Sequence, residues 1–194
     1  MELILIRHAL PLRVETADGS PADPPLGREG REQAERLAGW IRSESIDAIY
    51  TSPLRRARET AAPVERVLGL GAQVEPGVSE YDADAPTYIP LEELKRSDPE
   101  RWKALVGNGF YLEGSADEFR AVVVSALERL IESNPGRRIA VVCHGGVINA
   151  WVSNVLGLER LFFFEPIYTS VSRFVAARSG ERSLSSLNEA SHLR

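Results

Sequence analysis

Two runs of branched apolar residues in this chain each stop at a histidine. Leu3-Ile4-Leu5-Ile6 leads into Arg7-His8, and Ile139-Ala140-Val141-Val142-Cys143 leads into His144-Gly145-Gly146. Uninterrupted runs of this kind fit strands buried on both faces, the condition of parallel strands covered by helices. In open α/β sheets, ligands collect just beyond the carboxyl ends of such strands. The sequence therefore predicts an α/β fold with two imidazoles at the functional edge of its sheet. These are two of only three histidines in the chain.

Composition limits what else the chain can be. Its 194 residues, 43% of them hydrophobic, suffice for one substantial core. A single domain is expected over residues 1–194, three-layered, with a mostly parallel sheet flanked by helices. A net charge of -5 without any basic run argues against nucleic acid or an anionic membrane as the main partner. Any anion site must then be a local basic pocket. One cysteine cannot form an internal disulfide, and the first residues read as a strand rather than a leader, so the expected compartment is the cytoplasm. No apolar run reaches the roughly 20 residues that span a bilayer.

Pro11 to Pro25 is rich in Pro, Asp and Gly without periodicity, and is expected as a long surface loop starting beside His8. Ala34, Leu37, Ala38 and Ile41 recur at helical spacing, predicting an amphipathic helix from about Arg28 to Arg42. Ile46 to Thr51 reads as a short strand. Ser52-Pro53 then supplies a cap and a first-turn proline for a helix that Pro63 should disturb. Gln73 to Val78 is a candidate third strand leading to Glu80. Residues 84–114 are less regular, with helices expected near Pro90 to Arg96 and after Ser97-Asp98-Pro99; with residues 11–25 they form the variable loops. Ser115-Ala116-Asp117-Glu118 has capping-box spacing before a stripe of Phe119, Val122, Val123, Ala126, Leu127, Leu130 and Ile131. Val147 to Leu156 resumes as helix, ended by Gly157. Val171 to Ala176 and Ser183 to Asn188 predict a hairpin at the sheet edge.

The strand-end residues share one chemistry. Arg7-His8, Arg56 at a second strand-to-helix turn and His144-Gly145-Gly146 would bring together two imidazoles and two guanidiniums. Guanidinium forks match phosphate oxygens, a neutral imidazole can attack phosphorus, and a helix starting after Gly145 aims backbone N–H groups at an anion. Such groups could position and stabilise a transferring phosphoryl group without a metal.

At these residues the chain resembles the histidine phosphatase superfamily, also called phosphoglycerate mutase-like. The resemblance rests on Arg7-His8, the segment Pro53-Leu54-Arg55-Arg56-Ala57-Arg58-Glu59-Thr60-Ala61, Glu80, and His144-Gly145-Gly146, with Pro25-Leu26-Gly27-Arg28-Glu29-Gly30 similar to the segment entering the family's first helix. It implies that His8 becomes phosphorylated, that Arg7, Arg56, His144 and Gly145 bind phosphoryl oxygens, and that Glu80 is the proton donor, with Asp82 a substitute. His144 belongs to the catalytic set as well. The implied activity is a metal-independent phosphomonoester hydrolase of the histidine acid phosphatase type, acting on a small-molecule phosphate ester without a cofactor. A homodimer is compatible with the resemblance.

The family usually has Gly after the nucleophile, then Glu or Gln, and Asn six residues on, where this chain has Ala9, Leu10 and Val14. This altered first loop and the short chain favour a hydrolase over the runner-up, a cofactor-dependent phosphoglycerate mutase-type phosphotransferase, while the departures motivate a further alternative, a non-catalytic phosphate- or partner-binding member of the fold. Other phosphatase chemistries fit poorly. Asn149 stands where a cysteine phosphatase based on Cys143 needs Arg, and Asp82-Ala83-Asp84 lacks the strand and the Thr or Val of an aspartyl phosphatase. Cys143 reads as a small core residue, His192 as a tail residue, and Phe162-Phe163-Phe164 as core or subunit interface, with one ring a candidate for the leaving-group pocket. No metal-ligand cluster, Walker loop or complete dinucleotide fingerprint is present in the sequence.

Overall fold

Alternation along the first apolar run decides the architecture. In β1 (Glu2–Arg7), Leu3 and Leu5 enter one hydrophobic core while Ile4 and Ile6 enter another. The second run forms β6 (Arg138–Cys143) and divides in the same way, with Ile139, Val141 and Cys143 on the first side and Ala140 and Val142 on the other. A strand that feeds cores on both faces must be covered on both faces. Helices α1 (Arg28–Ile41) and α2 (Arg55–Leu68) cover the Ile4 and Ile6 side, and α4 (Ala116–Ser133) and α5 (Gly145–Leu156) the other. The computed structural model describes residues 1–100, 102–103 and 116–194.

The central sheet also contains β3 (Ala48–Thr51), β4 (Ala72–Val74), β7 (Val171–Ala176) and β8 (Arg182–Glu189), in the order β4-β3-β6-β1-β7-β8. The first four strands are parallel; β7 runs antiparallel to β1, and β8 to β7. This is the expected mostly parallel sheet between helices, with the expected hairpin at its edge. β1 and β6 lie side by side, yet the chain leaves β1 for α1 on one face and β6 for α5 on the other. Their carboxyl ends thus flank a crevice of the kind in which α/β sheets bind ligands.

Several local expectations are corrected. The strand expected over Gln73 to Val78 ends at Val74, because Pro76 has no N–H to give a ladder and opens a 3-10 turn, Pro76–Val78. Helix α2 starts at Arg55 with Leu54 as its N-cap residue, and Ser52 is not that cap: its hydroxyl oxygen accepts from Leu54 N–H at 3.2 Å, two residues on, and also lies against His144. Pro63 does not end α2, which continues to Leu68; buried Ala57, Ala61 and Val64 hold the helix against the sheet on both sides of the proline. The loop at Pro11 to Pro25 is tied down by β2 (Val14–Glu15), which pairs with β5 (Thr87–Tyr88). In α4, Val122 lies at the flank of the apolar stripe and is exposed. Helix α3 (Leu91–Ser97) matches the helix expected near Pro90 to Arg96. The Ser115 cap, and the part of the 84–114 excursion at residues 101 and 104–114, lie outside the described residues. His192 is no free tail: its ring packs on Trp40 of α1 at 5.6 Å and its Nε2 lies 3.0 Å from Thr169 Oγ1.

Candidate active site

Sheet register brings the site together. Arg7 pairs with Cys143 and Thr51 with Val142, so Arg7-His8, Ser52 and His144 emerge from β1, β3 and β6 along one rim. The His8 amide donates to Cys143 O at 2.9 Å and the Ser52 amide to Val142 O at 3.0 Å, which extends the ladder one residue past each strand. Thr169 N–H donates to both Arg7 O at 3.1 Å and His8 O at 3.3 Å, with Thr169 in the left-handed region at φ 58. Arg7, His8, Arg56 and His144 are all buried, at 4%, 2%, 1% and 0% exposure.

His8 Nδ1 lies 2.8 Å from Ala9 O. A carbonyl can only accept, so Nδ1 carries the proton and Nε2 keeps its lone pair. Burial above all, then the charges of Arg56 and Arg7, holds the His8 pKa well below its ordinary range. The His144 ring is tilted against His8 with centroids 5.1 Å apart, and its Nε2 lies 2.7 Å from Ser52 Oγ. His144 is likewise kept neutral by burial first and by Arg56 next. Its Nδ1 is buried without a partner.

The guanidiniums are anchored at one end and unpaired at the other. Arg7 donates to Pro166 O and stacks over the Tyr168 ring, 3.8 Å from its centroid. Arg56 reaches Asp82 Oδ1 at 3.5 Å and lies 4.6 Å from the Tyr88 ring centroid. Nε of each is buried without a hydrogen-bond partner. Both arginines line one cleft, and two buried cations with unmet donors create a demand for an anion, since an unmet buried donor is costly.

Glu80 enters from the loop after the 3-10 turn. Its Oε2 accepts from Gly146 N–H at 2.9 Å and its Oε1 from Tyr81 N–H at 3.2 Å. Burial, and then the Asp82 carboxylate, raise its pKa to about 7, against the lowering effect of the Gly146 bond. Asp82 is also raised by burial, while its Arg56 partner pulls the other way. The amino end of α5 therefore receives a carboxylate of this chain through Gly146, whereas Gly145 lies against Arg7: a Cβ built there would stand 3.7 Å from Arg7 Nε.

The cleft lined by Arg7, His8, Arg56, Glu80, Asp82, Gly145 and Gly146 has about 590 Å³ of empty space, open solvent at its mouth included. Every candidate named from the sequence (Arg7, His8, Arg56, Glu80, His144 and Gly145) converges on this rim, with Asp82 beside Arg56. Phe162 and Phe164 line the cleft, as one reading of the triple phenylalanine allowed. Sequence reasoning missed Tyr88 and Tyr168 beneath the arginines, Ser52 on His144, and Thr60, whose hydroxyl accepts from Ala9 N–H at 2.9 Å. Thr60 follows Arg56 by one helical turn, a spacing that could have marked it. Among the described residues no cluster of His, Cys, Asp and Glu could hold a metal ion.

Comparison with known proteins places these residues in context. The family model for the histidine phosphatase superfamily (branch 1) matches residues 3–189. A relative from Photorhabdus laumondii, "Probable phosphoglycerate mutase GpmB", is 32% identical over 71% of this chain and 66% of its own length, so the chain spans just under two thirds of it. Phosphoserine phosphatase 1 of Hydrogenobacter thermophilus is 27% identical over 82% of this chain and 78% of its own. Among solved structures, the phosphoserine phosphatase H9A mutant of Entamoeba histolytica in complex with phosphoserine superimposes with a TM-score of 0.74 at 25% identity, covering 100% of this chain and 99% of that one.

Proposed function

Because this chain belongs to the histidine phosphatase superfamily, branch 1, we propose that it is a phosphomonoester hydrolase of acid-phosphatase type that works through a phosphohistidine on His8. The observation that carries this reading is the buried, neutral His8, with Nδ1–H held by Ala9 O, beside two buried guanidiniums whose Nε groups are unpaired. Relatives named as phosphatases support hydrolysis over mutase chemistry, although a mutase is among them.

In the first step His8 Nε2 attacks phosphorus and the bond to the leaving oxygen breaks. Glu80, protonated below about pH 7, gives its proton to that oxygen. Arg7, Arg56 and His144 hold the phosphoryl oxygens, where charge builds up in the transition state. In the second step water attacks phosphorus, the Glu80 carboxylate takes its proton, and the N–P bond to His8 breaks to release phosphate. These groups supply nucleophile, proton and positive charge, so no step requires a metal.

The test is release of phosphate from an aryl phosphate in excess EDTA, comparing the wild type with His8→Ala. Turnover that survives the chelator and is lost in the variant is expected. Unchanged turnover in His8→Ala sinks the assignment, and phosphate binding without turnover favours the non-catalytic member of the fold.

A further inference from the structure

Beyond the groups assigned to the phosphoryl oxygens, the cleft has an apolar wall made by Tyr81, Ile89, Leu91, Phe162, Phe164 and Pro166. Phe162 is buried and meets Tyr81 edge-on at 5.3 Å between centroids, and Phe163 packs on Phe164 at 5.0 Å, so the rings are held from behind. Asn149, also in the lining, is already engaged. Its amide donates to Gly145 O and Phe164 O, and its oxygen accepts from the Phe163 and Phe164 amides.

The charges that remain at the cleft are negative. Asp82 is paired with Arg56, and Glu165 stands exposed at the rim. Arg7 and Arg56 are the only cations among the described lining residues, and both serve the phosphoryl site. The adjoining hollow is lined by Arg13, Lys95 and Arg96 together with Glu29, Glu92, Glu93 and Glu165; Arg13 is paired with Glu93 at 3.3 Å, Arg96 Nε donates to Glu92 O at 3.3 Å, and the Lys95 ammonium lies 5.8 Å from the Trp102 ring centroid. Of residues 101 and 104–115, only Arg101 is basic.

A leaving group bearing a carboxylate would have to desolvate that charge against aromatic faces and bring it toward Glu165. An uncharged aromatic or bulky aliphatic group gains by covering the same wall. We propose that the substrate is a phosphate monoester of an uncharged, apolar or aromatic alcohol, selected by the wall around Phe164. This rests on reading Arg7, His8, Arg56 and His144 as the phosphoryl site. Phosphorylated hydroxy acids are selected against.

Calorimetric titration of the wild-type chain with phosphonates, which mimic phosphate esters but are not hydrolysed, separates recognition from turnover. Methylphosphonate is the reference; the probes are 1-naphthylmethylphosphonate, 3-phosphonopropionate and 2-aminoethylphosphonate. The naphthyl compound should bind at least about tenfold tighter than the reference, a factor that burying roughly two methylene equivalents supplies. 3-Phosphonopropionate should bind no tighter than the reference, 2-aminoethylphosphonate should bind less tightly than the naphthyl compound, and Phe164→Ala should erase most of the naphthyl advantage. Tightest binding by the carboxylate or ammonium compound overturns the proposal, as does a naphthyl compound that gains nothing or an absence of binding by all four. Failure of the hydrolase reading looks different: every ester goes unhydrolysed while the phosphonate ranking persists.

Discussion

His8 and Glu80 have opposite protonation demands. Attack requires His8 to have lost its proton, and burial with the neighbouring arginines ensures this down to well below the ordinary histidine range. Donation requires Glu80 to keep its proton, and burial with Asp82 ensures this up to about pH 7. For an alkyl phosphate, kcat/KM should therefore rise through the lowered His8 titration, hold in the mildly acidic range and fall above about pH 7. Glu80→Gln should remove the alkaline limb along with most of the rate; a limb near 7 that persists in that variant would belong to another group. Gly146 is the complementary test. A Cβ there would lie 2.1 Å from Glu80 Oε1, so Gly146→Ala must push the acid aside while suiting the helix itself. Turnover of alkyl phosphates should fall by about a hundredfold, the lower end of what general acid catalysis supplies, and that of 4-nitrophenyl phosphate by much less. Equal losses on both substrates would contradict the role. The residues proposed to bear the chemistry, which the structure brings to one rim, were legible in the sequence because each sits at a strand end or in a recognisable segment. Tyr88, Tyr168 and Ser52 were not, since each acquires its part only by meeting an arginine or histidine that is distant along the chain.

Secondary elements with a clear apolar period were read closely. The buried face of α1 (Ala34, Leu37, Ala38, Ile41) and both strands of the edge hairpin match their expectation to within a residue or two. Misreadings occurred where packing overrode a local signal, as at Pro63 in α2, or where a missing N–H cut an apolar run short, as at Pro76. Gly30 shows a constraint that periodicity cannot reveal. It lies in the first turn of α1, where a Cβ would stand 2.0 Å from Leu10 O, two residues beyond His8. Gly30→Ala should cost about 1–3 kcal/mol, since backbone on the other side cannot swing away as a flexible side chain would. Urea unfolding measures this, and an unchanged midpoint would mean that the helix shifts freely.

Across the molecule, the sheet order was the part least available from sequence, because it depends on contacts between distant segments. Only the three-layer class followed from the burial of both strand faces. One consequence of the order is a charged seam over β1, β6 and β7. Arg173 pairs with Glu2 at 3.1 Å, Glu44 at 2.8 Å and Glu189 at 3.1 Å, and Arg138 pairs with Glu2 at 2.6 Å. Arg173→Ala leaves partly buried carboxylates short of a partner and should lower stability by roughly 2 kcal/mol, measured by urea unfolding; a loss within error would mean that solvent replaces the seam. The amide of Thr169, shared between the carbonyls of Arg7 and His8, bears on endurance. It fastens His8, the proposed nucleophile, to the backbone of the central sheet, so its conformational freedom is surrendered during folding and not when substrate arrives. Residual activity on heating should then track the far-ultraviolet melting curve; a curve that falls well ahead of it would contradict this. The working lifetime of the catalyst at high temperature is set by the unfolding rate of the sheet.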